Sequence, residues 1–220
     1  MSDTQSEKIV HFIRHGETRA NRHHFNQGPD EPLSERGEKQ AEAVVPSLRK
    51  LGIDTLYCSS LTRARQTASI IGTKLDLPLT IIDEVVEFGR PNYLYKKSHY
   101  SFNSLWYVIS LFWNQSNPNW NDDGAENLFH IRQRMLNTKR LLEESPGKNI
   151  AVVSHAIFMD MFTQAVCADR DLKLTEFMTG LALTKRIPNT GIISFRVDPN
   201  APGQTCKWWL DSMSFNKKII

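Results

Sequence analysis

Long hydrophobic runs are missing from this 220-residue chain. No apolar stretch approaches the roughly 18 residues that suggest a membrane-spanning helix. The first residues, MSDTQSEK, are polar and contain no apolar core of the kind that a secretory signal carries. We therefore expect neither a membrane span nor an export signal.

Cysteine is also scarce. Cys58, Cys167 and Cys206 are the three cysteines, and they lie far apart in the sequence. An odd, scattered set predicts neither a disulfide framework nor a CxxC metal site. With no export signal expected, the reducing cytoplasm is the simplest compartment to predict.

A strong charge of either sign is absent too. The 27 Lys and Arg residues against 24 Asp and Glu residues leave a formal net charge of +3. Such an even balance disfavours a general nucleic-acid binder or membrane-surface binder. Hydrophobic residues make up 40% of the chain and charged residues 23%, which is typical of a folded domain rather than a disordered chain. The length predicts a single domain over 1–220.

Candidate strands and helices alternate along the chain, which is typical of βαβ units. The predicted strands are 8–14, 53–58, 79–82 and 150–154, followed by a closing hairpin of 192–197 and 205–210. The predicted helices are 34–51 (with Pro46 as a possible kink or early end), one ending near 75, one beginning near 124, and 156–166. This order predicts an α/β fold, a three-layer αβα sandwich around a mostly parallel central sheet.

One segment, 91–123, interrupts this alternation. It is rich in aromatic side chains, namely Tyr93, Tyr95, Tyr100, Phe102, Trp106, Tyr107, Phe112, Trp113 and Trp120. We interpret it as an insertion that packs over one end of the sheet. It could be a satellite hydrophobic cluster, a lid that shapes a substrate pocket, or both.

The chemistry-bearing residues follow three predicted strands. Arg14 and His15 end the first strand, with Asn21 shortly after; Arg63 follows the second, and His155 follows the fourth. In an open α/β sheet, ligands bind outside the carboxyl ends of the strands. Two arginines, two histidines and an amide in one pocket suit a phosphoryl group, because a guanidinium contacts two phosphate oxygens and neutral imidazole is a nucleophile.

Four sequence blocks in this order resemble a known family. They are RHGETxxN at 14–21, Gln27-Gly28 followed by PLSERGEKQA at 32–41, SSLTRARQTA at 59–68, and VVSHA at 152–156. Together they closely resemble the histidine phosphatase superfamily in its phosphoglycerate-mutase-like branch, and most of all its broad-specificity phosphatases. The resemblance implies a phosphoglycerate-mutase-like fold, with the insertion at 91–123 as a helical, aromatic cap.

The resemblance also implies roles for single residues. His15 matches the nucleophile that takes the phosphoryl group and becomes phosphohistidine. Arg14, Arg63 and His155 match the side chains that hold the phosphate, and Asn21 joins that pocket. Nearby arginines should keep His15 neutral, because like charges disfavour imidazolium.

Other matched positions are expected to bind substrate. These are Gln27, Gly28 and Ala156; Ala156 stands where the family commonly has glycine, and we expect little loss because its backbone N–H would make the contact. The turn at 189–191 could border the pocket or serve as a simple turn. We expect no cofactor and no metal.

The leaving alkoxide needs a proton, which in the family comes from a carboxylate after the third strand. Asp83, Glu84 and Glu87 are the candidates. Glu87 precedes Phe88-Gly89-Arg90-Pro91, which resembles the family's segment around the acid, so we favour Glu87. Otherwise Glu87 would be a solvated carboxylate at the end of a strand.

Two further groups of residues have simpler interpretations. His23 and His24 have no third ligand at a clear spacing, so a polar loop at the pocket mouth is favoured over a metal site. Arg90, Lys96 and Lys97 could attract an anionic substrate, but ordinary solvated charges are the favoured interpretation.

Three functions follow from these residues. The first is a phosphatase acting on a small-molecule phosphate ester, and its nearest rival is a phosphoglycerate mutase using the same pocket. Gln27-Gly28 and the segment 89–93 depart from the mutase pattern and favour the phosphatase. A non-catalytic phospho-ligand binder is the third. The aromatic insertion favours a ring-bearing substrate; no nucleic-acid or membrane partner is expected, and the oligomeric state stays open, with a homodimer as one option.

Overall fold

A six-stranded sheet forms the centre of the molecule in the computed structural model, which describes residues 7–115, 117–167, 187–198 and 206–215. The strands are β1 Lys8–Arg14, β2 Thr55–Cys58, β3 Leu79–Ile81, β4 Asn149–Ser154, β5 Ile192–Val197 and β6 Trp208–Ser214. Their spatial order is β3-β2-β4-β1-β5-β6. The first four strands run parallel and the last two antiparallel, which confirms the predicted α/β fold with a mostly parallel sheet.

Helices cover both faces of this sheet. They are α1 Arg19–Arg22, α2 Glu35–Lys50, α3 Thr62–Leu75, α4 Phe102–Asn114, α5 Leu128–Glu144 and α6 Ala156–Ala165. Successive side chains of a strand point to opposite faces, so Phe12 packs in the core shared with α5 and α6, while Ile13 packs in the core shared with α2 and α3. This double burial explains the almost continuous apolar sequence of β1 and β4.

Helix α2 shows how local sequence signals set element bounds. The Ser34 hydroxyl caps its N-terminus by accepting the N–H of Gly37. The helix continues past Pro46 to Lys50, so the early end considered from the sequence is wrong.

Two other predicted bounds differ from the structure. β6 begins at Trp208 and runs to Ser214, later than predicted, although it pairs antiparallel with β5 as a hairpin should. The helix predicted to begin near Gly124 begins at Leu128, because the Asn127 side chain accepts the N–H of His130 and caps it there.

The cysteine expectation needs a correction. Cys167 and Cys206 form a disulfide, although they are 39 residues apart in sequence, and Cys58 is free and buried. The fold brings the end of α6 beside the beginning of β6, a proximity that sequence spacing does not reveal. The cysteines therefore no longer support a reducing compartment.

The insertion 91–123 contains the 3₁₀ turn Asn92–Leu94 and the helix α4. One face of α4 packs inward through Ser104, Tyr107 and Leu111. Across the described part of the chain, no helix is long and apolar enough to cross a membrane.

Candidate active site

The two histidines singled out from the sequence face each other at the centre of the sheet. β1 and β4 are parallel neighbours, with Arg14 opposite Ser154, so the residues that follow them, His15 and His155, emerge side by side. Their ring centroids lie 5.1 Å apart, and both residues are at most 1% exposed.

The hydrogen bonds of His15 define which ring nitrogen is free to react. Its Nδ1 lies 2.7 Å from the carbonyl oxygen of Gly16. A carbonyl oxygen only accepts, so Nδ1 carries the hydrogen and Nε2 keeps its lone pair. The Asn189 side chain donates to the carbonyl of His15 at 2.9 Å, so the turn at 189–191 does border this residue.

Both histidines are held in the neutral form. Burial lowers the pKa of His15 well below its usual range, and the Arg63 and Arg14 guanidiniums lower it further; the hydrogen bond to Gly16 opposes them. Burial likewise lowers the pKa of His155, followed by the charge of Arg63 and the neighbouring His15. His15 is therefore neutral and able to act as a nucleophile at physiological pH.

His155 is fixed by a hydroxyl that the sequence reasoning did not single out. Its Nε2 lies 2.8 Å from Ser59 Oγ, and Ser59 Oγ also accepts the N–H of Leu61. Nδ1 of His155 is buried and has no hydrogen-bond partner among the described residues. When Ser59 donates to Nε2, Nδ1 carries the hydrogen and is a donor for an anion.

Two arginines supply positive charge beside His15. Arg14 donates from Nη1 to the carbonyl of Ile187, and Arg63 donates from Nη1 to the carbonyl of Gly28. The Nε atoms of both arginines are buried without a partner in the ranges that the structure describes. Burial lowers the pKa of each to about 10, and Glu87 raises it in both cases, so both guanidiniums remain charged at neutral pH.

The loop after β1 is held by backbone contact. A Cβ atom on Gly16 would overlap the backbone of Gly37, and a Cβ atom on Gly37 would overlap the backbone of Glu17. The Thr67 hydroxyl accepts the N–H of Gly16 at 3.0 Å. The glycines of the first two sequence blocks thus let α2 and the loop carrying His15 approach closely.

Asn21, Gln27 and Gly28 belong to one hydrogen-bonded loop. Asn21 accepts the N–H of Thr18 while the Thr18 side chain accepts the N–H of Asn21, and the Thr18 hydroxyl donates to Gln27 Oε1 at 2.9 Å. Gly28 accepts from Arg63. Nδ2 of Asn21 is buried and unpartnered within the described residues, so it is a further donor near the loop.

Glu87 lies at the N-terminus of α6, the helix that begins directly after His155. Its Oε1 accepts the N–H groups of Phe88 and Phe158, each at 3.0 Å, and its Oε2 accepts the N–H of Ile157 at 3.4 Å. The carboxylate caps α6 and is not simply a solvated group at a strand end. This capping fixes Glu87 relative to His155.

A half-buried ion pair flanks Glu87 on both sides. Arg134 donates to the carbonyls of Glu84 and Val86 at 2.9 and 2.7 Å, and pairs with Glu126 through two hydrogen bonds. Glu126 in turn accepts the N–H of Gly89 at 3.3 Å. Because both partners bond to the segment 84–89, they hold the backbone that carries Glu87.

Arg90 is not the solvated charge that the sequence led us to expect. It is partly buried and donates to Asn26 Oδ1, whereas Lys96 and Lys97 are exposed as expected. Burial lowers its pKa, while Glu87 and then Tyr107 raise it, so the guanidinium lies near both.

The hydroxyl of Tyr107 is buried and has no partner among the residues described. Nothing in the sequence indicates that Arg90 is buried, because the segment after Glu87 is not helical and a spacing of three residues there does not bring side chains together.

The other candidates have simpler surroundings. Ala156 begins α6 and is 7% exposed, and its predicted substrate contact stays a prediction. His23 and His24 are exposed residues after α1. Within 7–115, 117–167, 187–198 and 206–215, no three His, Cys, Asp or Glu side chains are grouped so that they could hold a metal ion.

Solved structures with this architecture include two phosphatases. The chain superposes on the alpha-ribazole phosphatase from Shigella flexneri with a TM-score of 0.69 and 21% identity, covering 93% of this chain and 95% of that one. For the mycobacterial glucosyl-3-phosphoglycerate phosphatase in complex with VO3, the TM-score is 0.68 and the identity 20%, over 93% and 97% of the two chains. At these identities the likeness shows the fold alone.

Curated relatives match a shorter stretch. The probable phosphoglycerate mutase GpmB of Enterobacter sp. (strain 638) is 46% identical over 63 residues, which is 28% of this chain and 29% of that protein. The fructose-2,6-bisphosphatase TIGAR of Xenopus tropicalis is 49% identical over 62 residues, 27% of this chain and 22% of that protein. The matched part is therefore less than a third of either relative.

A family model covers far more of the sequence. The model of the histidine phosphatase superfamily, branch 1, matches residues 10–202, which include most of β1 and all of α3 and β4, together with His15 and His155. The chain belongs to the histidine phosphatase superfamily.

Proposed function

We propose that this protein is a phosphatase that hydrolyses phosphomonoesters through a phosphohistidine on His15. One observation carries the proposal: His15 is buried, donates Nδ1–H to Gly16, and keeps the lone pair of Nε2 beside two guanidiniums. A neutral imidazole in that environment is a nucleophile already paired with the charge that a phosphate needs.

In the first step, Nε2 of His15 forms a bond to phosphorus while the bond from phosphorus to the ester oxygen breaks. Glu87 in its protonated form gives its proton to the leaving alkoxide, which departs as the alcohol. In the second step, Glu87 accepts a proton from water, the water oxygen bonds to phosphorus, and the bond between phosphorus and nitrogen breaks. Inorganic phosphate leaves and neutral His15 is restored.

Charge neutralisation comes from groups whose hydrogen-bonding capacity is not used up within the protein. Arg14, Arg63 and His155 each have one buried nitrogen without a partner among the described residues. Donors of this kind suit the three equatorial oxygens of a transferring phosphoryl group. Phosphate binding should favour protonation of His155, because the dianion offsets the arginine charges that lower its pKa.

The inner side of the insertion supports a substrate larger than a bare sugar phosphate. A ring atom of Tyr95 lies 3.9 Å from the position that a Cβ of Gly28 would take. Tyr95 is also close enough to Arg63 to raise the pKa of its guanidinium slightly against the effect of burial. Arg90 lies near Glu87 and near Tyr107, whose buried hydroxyl has no partner among the described residues. We propose that the alcohol part of the ester binds against these side chains, with aromatic contact to Tyr95 and polar contact to Arg90.

The test is a substrate panel run without added metal, with phosphate release as the readout. It compares aryl phosphates and nucleotides with small sugar phosphates, and assays phosphoglycerate interconversion in parallel. We expect release from the ring-bearing esters and slower release from the smallest ones. Interconversion of phosphoglycerates without phosphate release would replace the phosphatase by the mutase, and neither activity would favour a phospho-ligand binder.

A further inference from the structure

The outer side of α4 carries an apolar surface that the proposed chemistry does not use. It consists of six residues at helical spacing, which we call the α4 stripe: Phe102, Leu105, Trp106, Ile109, Phe112 and Trp113. Phe102 and Trp113 are each 78% exposed, and the remaining four are between 38% and 58% exposed. Spacings of three and four residues place all six on one face of the helix.

This face is opposite to the one that holds α4 to the protein. Ser104, Tyr107 and Leu111 are buried, and Tyr107 stacks on Trp120 with ring centroids 6.2 Å apart. The helix is therefore anchored on one side, and the α4 stripe is not needed to fill the core. Monomeric proteins rarely expose a contiguous apolar patch of more than a few hundred Å² without a binding role.

The area of the α4 stripe fits an interface between two copies. Aromatic side chains bury about 150–250 Å² each, so the exposed parts of the four aromatic and two aliphatic residues amount to roughly 600 Å² per copy. Two copies would then bury about 1,200 Å² in total, which is the lower end of stable protein–protein interfaces.

The charge pattern also fits self-association. In an interface with two-fold symmetry, the same patch meets itself, so any charge within the patch lies close to its own copy. The sequence of α4, FNSLWYVISLFWN, contains no Asp, Glu, Lys or Arg. A membrane-surface helix would instead combine its apolar face with Lys and Arg on the polar face.

A hollow of about 680 Å³ runs along one side of α4, from Asn103 to Asn114. Its border includes the aromatic residues Phe102, Trp106, Tyr93 and Trp120 and the polar residues Ser110, Asn121 and Asp122. Trp113 is at the opposite end of the helix from Phe102. If two α4 helices cross antiparallel, Trp113 of the second copy comes near Phe102 and Trp106, which both border the hollow.

From these observations we propose that the α4 stripe is the interface of a symmetric homodimer, with antiparallel α4 helices and Trp113 of each copy inserted beside Phe102 and Trp106 of the other. Large aromatic anchors seated in a hollow are typical of the residues that dominate binding energy. The interface is separate from the strand ends that carry His15 and His155.

The test measures the mass of the full chain in solution by sedimentation and light scattering across the micromolar range. We expect the wild type to be a dimer, and Ile109→Asp to weaken dimerisation at least about a hundredfold. Leu136→Asp, on α5, is the matched control, because Leu136 and Ile109 are both 38% exposed. Far-ultraviolet circular dichroism and thermal melting show whether each variant is folded.

A mixing experiment separates an interface from a folding defect. Ile109 lies within one turn of the middle of α4, so the two copies of residue 109 approach each other in an antiparallel pair. Ile109→Asp and Ile109→Lys should each be monomeric, and an equal mixture should recover the dimer through opposite charges.

A monomeric wild type would overturn the proposal, as would a dimeric Ile109→Asp or equal dissociation of Leu136→Asp. If the wild type is a monomer that sediments with phosphatidylcholine–phosphatidylserine vesicles, the α4 stripe binds a membrane surface and not a second copy.

Discussion

The ends of the central strands and the outer face of α4 differ in the side chains that they bury and expose. At the strand ends, charged and polar side chains are buried, and most of their groups are fixed by a hydrogen bond to the backbone, such as His15 to Gly16 and Arg63 to Gly28. On α4, the large apolar side chains are exposed and the helix lacks charge. Burying polar groups and exposing apolar ones both cost free energy unless a ligand or a partner is present.

We therefore expect the two regions to bind different kinds of partner. Buried nitrogens that have no partner within the described parts of the chain suit an anion, whereas an uncharged aromatic stripe suits another apolar surface. Substitutions at the strand ends should change turnover, and substitutions on the stripe should change association.

The largest effect is expected at His15. His15→Asn should reduce phosphate release at least about 10⁴-fold, because it removes the nucleophile while keeping a polar side chain of similar size. Steady-state phosphate release measures it. His130→Asn, at an exposed position on α5, is the control and should keep wild-type turnover. Substantial activity in His15→Asn would show that His15 is not the nucleophile, and the strand ends would then no longer differ from α4 as the site of turnover.

Glu87→Gln should come next. The amide oxygen of Gln can still accept the N–H groups at the start of α6, so the fold should persist while the proton donor is lost. We expect turnover to fall about 10²–10⁴-fold for alkyl phosphates, whose alkoxides leave poorly, and far less for p-nitrophenyl phosphate. The rates of a series of esters with graded leaving-group pKa values measure this. An equal loss for every ester would contradict the role of Glu87 as proton donor.

A smaller effect should appear at Arg134, which acts through the backbone that carries Glu87. Arg134→Met should lower kcat about tenfold and leave KM nearly unchanged, because small displacements of a catalytic group cost rate. Arg196→Met, which breaks the exposed pair with Asp211, is the matched control. The loss should be greatest for poor leaving groups, and Arg134→Met added to Glu87→Gln should cost little more. Fully additive losses would show a role unrelated to Glu87.

The close packing of α2 against the loop that follows β1 should make stability sensitive to added side-chain atoms at this contact. Gly37→Ala places a methyl group against the backbone of Glu17 and should lower the free energy of unfolding by about 1–3 kcal/mol. Ser47→Ala, on an exposed part of the same helix, is the control. Urea unfolding gives both values; equal stability of Gly37→Ala and the wild type would mean that this contact can relax without cost.

The last expected effect is a dependence of stability on pH. His15 and His155 have folded pKa values well below the unfolded value of about 6.5, so below that pH the unfolded chain binds protons that the folded chain does not. The contribution of these histidines to the free energy of unfolding should be fully present above about pH 6.5. On acidification below that pH, the free energy of unfolding should fall by up to about 1.4 kcal/mol per pH unit for each histidine.

Burial also lowers the pKa of His11 to about 4, so His11 contributes in the same direction. Urea unfolding at about pH 7.5 and about pH 5.5 measures the slope. His15→Asn should reduce this slope. An unchanged slope in His15→Asn would show that His15 is not held neutral.

The sequence predicted the strand-end region well because its signals are local. Apolar runs placed β1 and β4, and the residues that follow them, His15 and His155, meet simply because parallel neighbours end at one edge of the sheet. The contact of Gly16 with Gly37 joins two of the recognised blocks in space.

Contacts between distant segments could not be predicted from such local signals. The disulfide between Cys167 and Cys206 and the hydrogen bonds from Arg134 to the carbonyls of Glu84 and Val86 depend on how distant elements pack, which spacing along the chain does not encode. Arg90 looked like a solvated charge because nothing in the sequence places it against Asn26. The aromatic insertion gave no clue to which of its side chains face inward and which face outward.

The proposed phosphohistidine has one direct test, which is to trap it. A ³²P-labelled aryl phosphate ester is mixed with the enzyme, quenched with alkali within the first turnover, and the labelled peptide is mapped. We expect a label on the peptide that contains His15; it should be stable in alkali, lost in acid, and appear as fast as the alcohol is released. A label on another residue, or a burst of alcohol with no labelled protein, would contradict it.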